Sequence, residues 1–177
     1  QLFSDLDHIL GRPLTEIMFD GNIAELTLTT NSQPAIMAVS SAILESIRSE
    51  NLINFDSVKA VAGHSLGEYS ALYAANSISF SSSIQLLEVR SRAMQESMPV
   101  GTGGMAAIIG KSMPEVEDLL DSIKDYGQIS IANDNADGQI VVSGEMSAIN
   151  HLCDNSKELG VKLSLIHISE PTRPMNI

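Results

Sequence analysis

The chain of 177 residues is 44% hydrophobic, carries a formal charge of −12 and contains one cysteine and no tryptophan. That suits one globular domain, or one with a small appendage, and the negative field argues against general nucleic-acid binding. No apolar run reaches the roughly 18–20 residues of a membrane span and no signal peptide is visible, while a lone Cys153 excludes an internal disulfide and suits a reducing cytosol.

Apolar periodicity predicts a helix over 31–49, with Ala35, Ile36, Val39, Ile43 and Ile47 at helical spacing. Residues 58–62 read as a short buried strand and 66–75 as a helix. A second helix is expected over 82–98, with Ser81 as its N-cap. The Pro- and Gly-rich stretch 99–104 marks a boundary. Beyond it come a strand at 105–109 and a helix at 114–124 that begins on Pro114. Strands at 128–132 and 139–143 follow, joined by an Asn/Asp/Gly turn. A helix over 147–159 stops at Gly160, and a last strand starts at Val161. The expected fold class is α/β: part of a large α/β domain over 1–100, then a βαββαβ unit of ferredoxin-like order over 101–162. Residues 163–177 hold two prolines and no amphipathic period, and read as a non-native tail.

The centre of interest is Gly63-His64-Ser65-Leu66-Gly67. A bare Gly-x-Ser-x-Gly is common in turns and could be a Gly-bounded helix start. Here it lies between a strand and a helix, the context of a nucleophile elbow. Small glycines relieve crowding around a strained serine, the hydroxyl stands at the positive end of a helix, and the Leu66 N–H points to where an oxyanion would form.

Arg90 adds a second feature. Leu86, Leu87, Ala93 and Met94 share one face of the expected helix, and Arg90 sits in its middle. A guanidinium there needs an anion. Two partners remain open: Glu68 or another internal carboxylate, and the free carboxylate of a dicarboxylic acyl group held bidentately.

The segment from Gly63 through Tyr69 to Leu72 resembles the active-site segment of the malonyl-coenzyme A:acyl carrier protein transacylases, in the acyltransferase family of fatty acid and polyketide synthesis. The blocks 87–96 and 101–110, the start Ser32-Gln33-Pro34-Ala35, and the Asn133-Asp134-Asn135 and 138–144 segments resemble further parts of that family in order. The resemblance implies a hydrolase-like large domain with an inserted ferredoxin-like subdomain. It implies malonyl transfer from malonyl-coenzyme A, through Ser65, to the phosphopantetheine thiol of acyl carrier protein. Arg90, at the family's spacing from the nucleophile, would hold the malonyl carboxylate. Leu66 would supply an oxyanion donor, and His64 would line the pocket. Asn133 and Asn135 could touch the pantetheine arm, though turn chemistry is the simpler account of them. No cofactor or metal is implied beyond the coenzyme A thioester as substrate. The implied protein is a cytoplasmic monomer that binds neither nucleic acid nor membrane.

The chain departs from the family in one respect that bears on chemistry. A serine nucleophile needs a base, and neither His8, His151 nor His167 stands where the family places it, near position 175. The family's N-terminal oxyanion loop is also unmatched. The resemblance therefore implies an internal piece of a longer enzyme, inactive alone. The basic side chains available to meet acidic partners are Arg90, Arg92, Lys111, Lys162 and Arg173. An acyltransferase domain of a larger synthase, a non-catalytic acyl-binding module and a serine hydrolase stay open as other readings.

Overall fold

The computed structural model describes residues 1–97 and 101–166, in two compact units, Gln1–Ser97 and Met98–Ile177. The described part of the first unit is helical: α1 (Leu2–Leu10), α2 (Leu14–Asp20), α3 (Ile23–Leu26), α4 (Thr29–Ser49), a 3-10 turn at Phe55–Ser57, α5 (Gly67–Ala74) and α6 (Phe80–Glu96). Its core is Leu6, Leu14, Met37, Ala38, Ile84 and Leu87, all fully buried between α1, α2, α4 and α6. Each of the Leu, Ile and Met side chains contributes about 1.5–3 kcal/mol of burial, and the Ala38 methyl less.

The helix α4 carries Pro34 inside it. Proline has no N–H, so the Thr30 carbonyl one turn earlier loses its helical partner. Arg12 replaces it: Nη2 donates to Thr30 O at 2.8 Å, and Nη1 to Asn31 Oδ1 at 2.5 Å. This tie fixes the first turns of α4, from which Gln33 projects.

Three expectations about this unit are corrected. Residues 58–62 form no strand, and Val58 and Val61 are exposed. A strand is defined by a hydrogen-bonded neighbour, and the described residues of this unit supply none. Of the apolar stripe of α4 only Ala35 is buried: Ile36, Val39 and Ile43 are exposed, and the rest of the buried face is Asn31, Gln33, Pro34, Met37, Ala38 and Ser41. Asn31 and Gln33 are buried because they find hydrogen-bond partners across the packed helices, whereas the buried Ser41 hydroxyl has none among the described residues. Finally, α6 starts earlier than Ser82, because Ser79 rather than Ser81 is its N-cap; Ser79 Oγ accepts from the Ser82 N–H at 3.0 Å. Its buried face is Ser83, Ile84, Leu87 and Ser91, while Leu86, Ala93 and Met94 are exposed. Arg90 therefore stands at the border of the buried face, not at the centre of an apolar one.

The second unit has the order β1 (Gly103–Ile109), α7 (Met113–Ile123), a 3-10 turn at Lys124–Tyr126, β2 (Ile129–Ala136), β3 (Gln139–Glu145), α8 (Met146–Asp154) and β4 (Lys162–Ile166). The sheet runs β2-β3-β1-β4, antiparallel throughout. Alternate residues Ala106 and Ile108 of β1, and Ile140 and Val142 of β3, face a core shared with Val116, Leu119 and Ile123 of α7 and Ile149 and Leu152 of α8. Both helices thus cover one face of the sheet, the arrangement of a ferredoxin-like unit. Cys153 packs half-buried beside this core; burial, then the Asp154 charge, push its thiol pKa up.

Two boundaries move. The first residues of the expected tail belong to β4, whose Leu163, Ser164, Leu165 and Ile166 pair with Ile108, Ala107, Ala106 and Met105. The run Lys162-Leu163-Ser164-Leu165 already alternates polar and apolar residues, as an edge strand should. Residues 167–177, with His167, Arg173 and position 175, lie outside the described residues, as do 98–100. The hairpin turn also tightens: Ala136 pairs with Gln139 across Asp137 and Gly138, so Asn133 and Asn135 belong to β2 and not to a loop.

At the start of α7, Glu115 Oε2 accepts from the Ser112 N–H at 2.9 Å and from Ser112 Oγ at 2.7 Å. These bonds, with Lys111 beside them, hold the Glu115 carboxyl down from 4.5 to about 2. A depressed pKa means that this cap is fully formed above the ordinary carboxylate value and is lost as pH falls toward about 2. Ser112→Ala should return the Glu115 titration toward the ordinary value, as read by carboxyl NMR shifts against pH.

Candidate active site

Ser65 has φ 55°, in the left-handed region. The other non-glycine residues described there are Asn51 and Asn76, and asparagine tolerates that region far better than serine. A strained serine between two glycines is the backbone signature of an elbow. Gly63 permits it, since a Cβ at that position would stand 1.9 Å from the Gly67 carbonyl oxygen. Leu66 anchors the turn by packing its half-buried side chain on the core of the first unit.

From this turn α5 begins. Gly67 N–H donates to His64 O at 2.9 Å, Glu68 N–H to Ser65 O at 3.2 Å and Tyr69 N–H to Leu66 O at 3.0 Å. The Leu66 N–H has no protein acceptor among the described residues. It remains, with the helix dipole behind it, a donor beside an exposed Ser65.

Arg90 reaches this point from α6. Its Nη2 donates to Ser65 Oγ at 2.9 Å, and its Nη1 donates to Gln33 Oε1 in a short hydrogen bond. Arg12 and Arg92 pair with Glu88, and Arg48 pairs with Glu45, but Arg90 has no carboxylate partner among the described residues. The internal ion pair with Glu68 is therefore not formed. A half-buried guanidinium that touches only neutral groups keeps its charge available for an anion beside the serine.

The remaining candidates fall elsewhere. His64 is exposed and borders an open cleft of about 670 Å³ with Ile36, Ser40, Val61 and Ala71; Ser65 does not line it. The two neighbouring side chains thus diverge, and no imidazole bonds to Ser65 among the described residues. Asn133 and Asn135 are exposed on the second unit, where β2 is interrupted by register shifts. Asn135 borders a hollow of about 280 Å³ with Lys111, Asp134 and Asp137. Of the basic candidates, Lys111 pairs with Glu115 and Arg92 with Glu88. Gln33 and Met94 were not legible as site residues; Gln33 is 5% exposed, and a buried amide must have a partner, but sequence does not say which.

Known proteins carry the same arrangement of chain. Residues 5–170 match the family described as acyl transferase domain. The malonyl CoA-acyl carrier protein transacylase of Bacillus subtilis (strain 168) is 36% identical over 173 residues, which are 97% of this chain and 53% of the relative. The crystal structure of acyl-carrier-protein-S-malonyltransferase from Bartonella henselae superposes with a TM-score of 0.83 at 42% identity, over 93% of this chain and 53% of that one. A malonyl-transacylase solved in complex with its type II PKS acyl-carrier protein superposes with a TM-score of 0.84 at 35% identity, over 97% of this chain and 55% of that one. The chain thus spans about half the length of the relatives it matches, and its fold class is α/β as theirs is. With a family match that runs through elbow, α6 and the small sheet alike, the chain belongs to the acyl transferase domain family.

Proposed function

We propose that the protein containing this chain transfers a malonyl group from malonyl-coenzyme A to the phosphopantetheine thiol of acyl carrier protein. The observation that carries this reading is Arg90: a guanidinium without an anion among the described residues, 2.9 Å from the hydroxyl of a strained serine. The names of the relatives support it.

In this mechanism Ser65 Oγ attacks the thioester carbonyl, and a base from outside the described residues takes its proton. The carbonyl oxygen becomes an oxyanion that the Leu66 N–H and the start of α5 stabilise. Collapse expels the coenzyme A thiolate, which takes up the proton, and leaves malonyl-Ser65. The carrier-protein thiol then attacks the ester by the same path in reverse and restores the serine. Throughout, Arg90 leaves its place on Ser65 Oγ to hold the distal carboxylate with two parallel N–H donors. His64 contacts the substrate's periphery, the coenzyme A thioester needs no further cofactor, and the enzyme works as a cytosolic monomer away from membranes.

Replacing Arg90 with Gln tests the reading. Hydrogen bonds to charged groups are worth about 1.5–3 kcal/mol, so acylation by malonyl-CoA should fall roughly 10- to 100-fold. Acylation by acetyl-CoA, which has no distal carboxylate, should change by less than about threefold. Equal losses for both thioesters, measured as initial rates of enzyme acylation, would show that Arg90 does not select the acyl group. Release of free malonate without any thiol acceptor would favour hydrolysis instead.

A further inference from the structure

We infer that Gln33 is a positioning residue for acyl selection: a buried neutral amide that fixes the Arg90 guanidinium without neutralising it. The inference rests on the reading that Arg90 holds the distal carboxylate.

Gln33 is 5% exposed on α4, and its Oε1 accepts from Arg90 Nη1. Arginine offers only donors, so only the amide oxygen can face it. The other end of the amide is also used: Nε2 donates to Met94 Sδ at 3.3 Å. With one Nη pinned to Gln33, the other is directed at Ser65 Oγ. The planar fork is thereby held with one edge toward the nucleophile. Glu88, on the same helix, is occupied by Arg12 at 3.3 Å and Arg92 at 2.9 Å, so it does not compensate the charge either.

The chemical choice at position 33 matters because a carboxylate of the same size would be the better partner for Arg90. Glu there would bind the guanidinium more strongly and orient it at least as well. It would also form a closed ion pair, against which an incoming carboxylate would have to compete. An amide gives orientation and leaves the charge for the ligand. A residue with a merely structural role would be served as well or better by Glu.

The test is calorimetric titration with malonyl-CoA and with acetyl-CoA of the folded protein in a Ser65→Ala background, which cannot be acylated, comparing the wild-type residue at position 33 with Gln33→Glu and Gln33→Met and reading the ratio of the two affinities. With Gln33 in place the protein should prefer malonyl-CoA. Gln33→Glu should lower that preference about tenfold or more, and Gln33→Met by about threefold, with acetyl-CoA affinity little changed in both. Preserved preference in Gln33→Glu overturns the inference and leaves the role of Arg90 standing. If Gln33→Glu does not fold, Gln33→Met decides: a reduced preference supports the inference and an unchanged one overturns it. A protein that has Gln33 in place and shows no preference overturns the reading of Arg90 itself, and the inference with it.

Discussion

Replacing Ser65 with Gly should abolish acylation and at the same time stabilise the fold. The two effects have one cause. Serine at φ 55° stores strain that glycine does not feel, and a non-glycine residue held in that region costs about 1–3 kcal/mol. Removing Cβ should therefore raise stability by about 1 kcal/mol, less the extra entropy that glycine brings to the unfolded chain. The same change removes Oγ, so no ester can form. In a serine protease, loss of the nucleophile costs about 10⁶ in rate, and no malonyl adduct should be seen by intact-protein mass spectrometry. Denaturant midpoints measure the other half. A variant that lost acylation and also lost stability would mean that the serine is held by its hydroxyl contact with Arg90 and not imposed on a strained turn.

That strain was legible in the sequence, because it follows from local chain chemistry. Gly63 and Gly67 on either side of Ser65 announce a turn whatever the rest of the chain does. The elements of the second unit were legible because each follows from a local pattern: the apolar residues of its strands alternate, and Asp137 and Gly138 turn the β2–β3 hairpin, although β1 finds its own partners, β3 and β4, far along the chain. Properties that depend on distant neighbours were not legible. Residues 58–62 have strand composition, yet pairing requires a neighbour that the described residues of the unit lack. Two sides of α4 are apolar, and only packing on α1 and α6 decides that Met37 and Ala38 go inside while Ile36 and Ile43 do not. Arg90 was visible as an arginine in need of a partner, but its companion Gln33 lies 57 positions away on another helix. A buried glutamine reads in sequence like any surface one.

The two glycines of the elbow should respond in opposite ways to the same substitution, and Gly63→Ala should be the most damaging change in the motif. An added Cβ at Gly63 would lie 1.9 Å from Gly67 O, 2.1 Å from Gly67 C and 2.7 Å from Glu68 N. All of these are backbone atoms in the first turn of α5, so no side chain can swing aside. Relief requires the helix start to move, and with it the Leu66 N–H and the bearing of Ser65 toward Arg90. Overpacking of this kind costs about 3 kcal/mol, and a displaced oxyanion donor typically costs about 100- to 1,000-fold in rate. Gly67 is the internal control. Nothing stands within 4 Å of its added Cβ, and its φ is not among the positive ones. It is the first residue of α5, where alanine is the better helix former by up to about 1 kcal/mol. Gly67→Ala should keep stability at or above that of the wild type, whereas Gly63→Ala should lose both stability and acylation. Thermal midpoints together with labelling of Ser65 by a serine-directed phosphonate separate the two. If Gly63→Ala labelled like Gly67→Ala, the backbone of the elbow would be loose enough to absorb a methyl group, and its strain could not be what presents the serine.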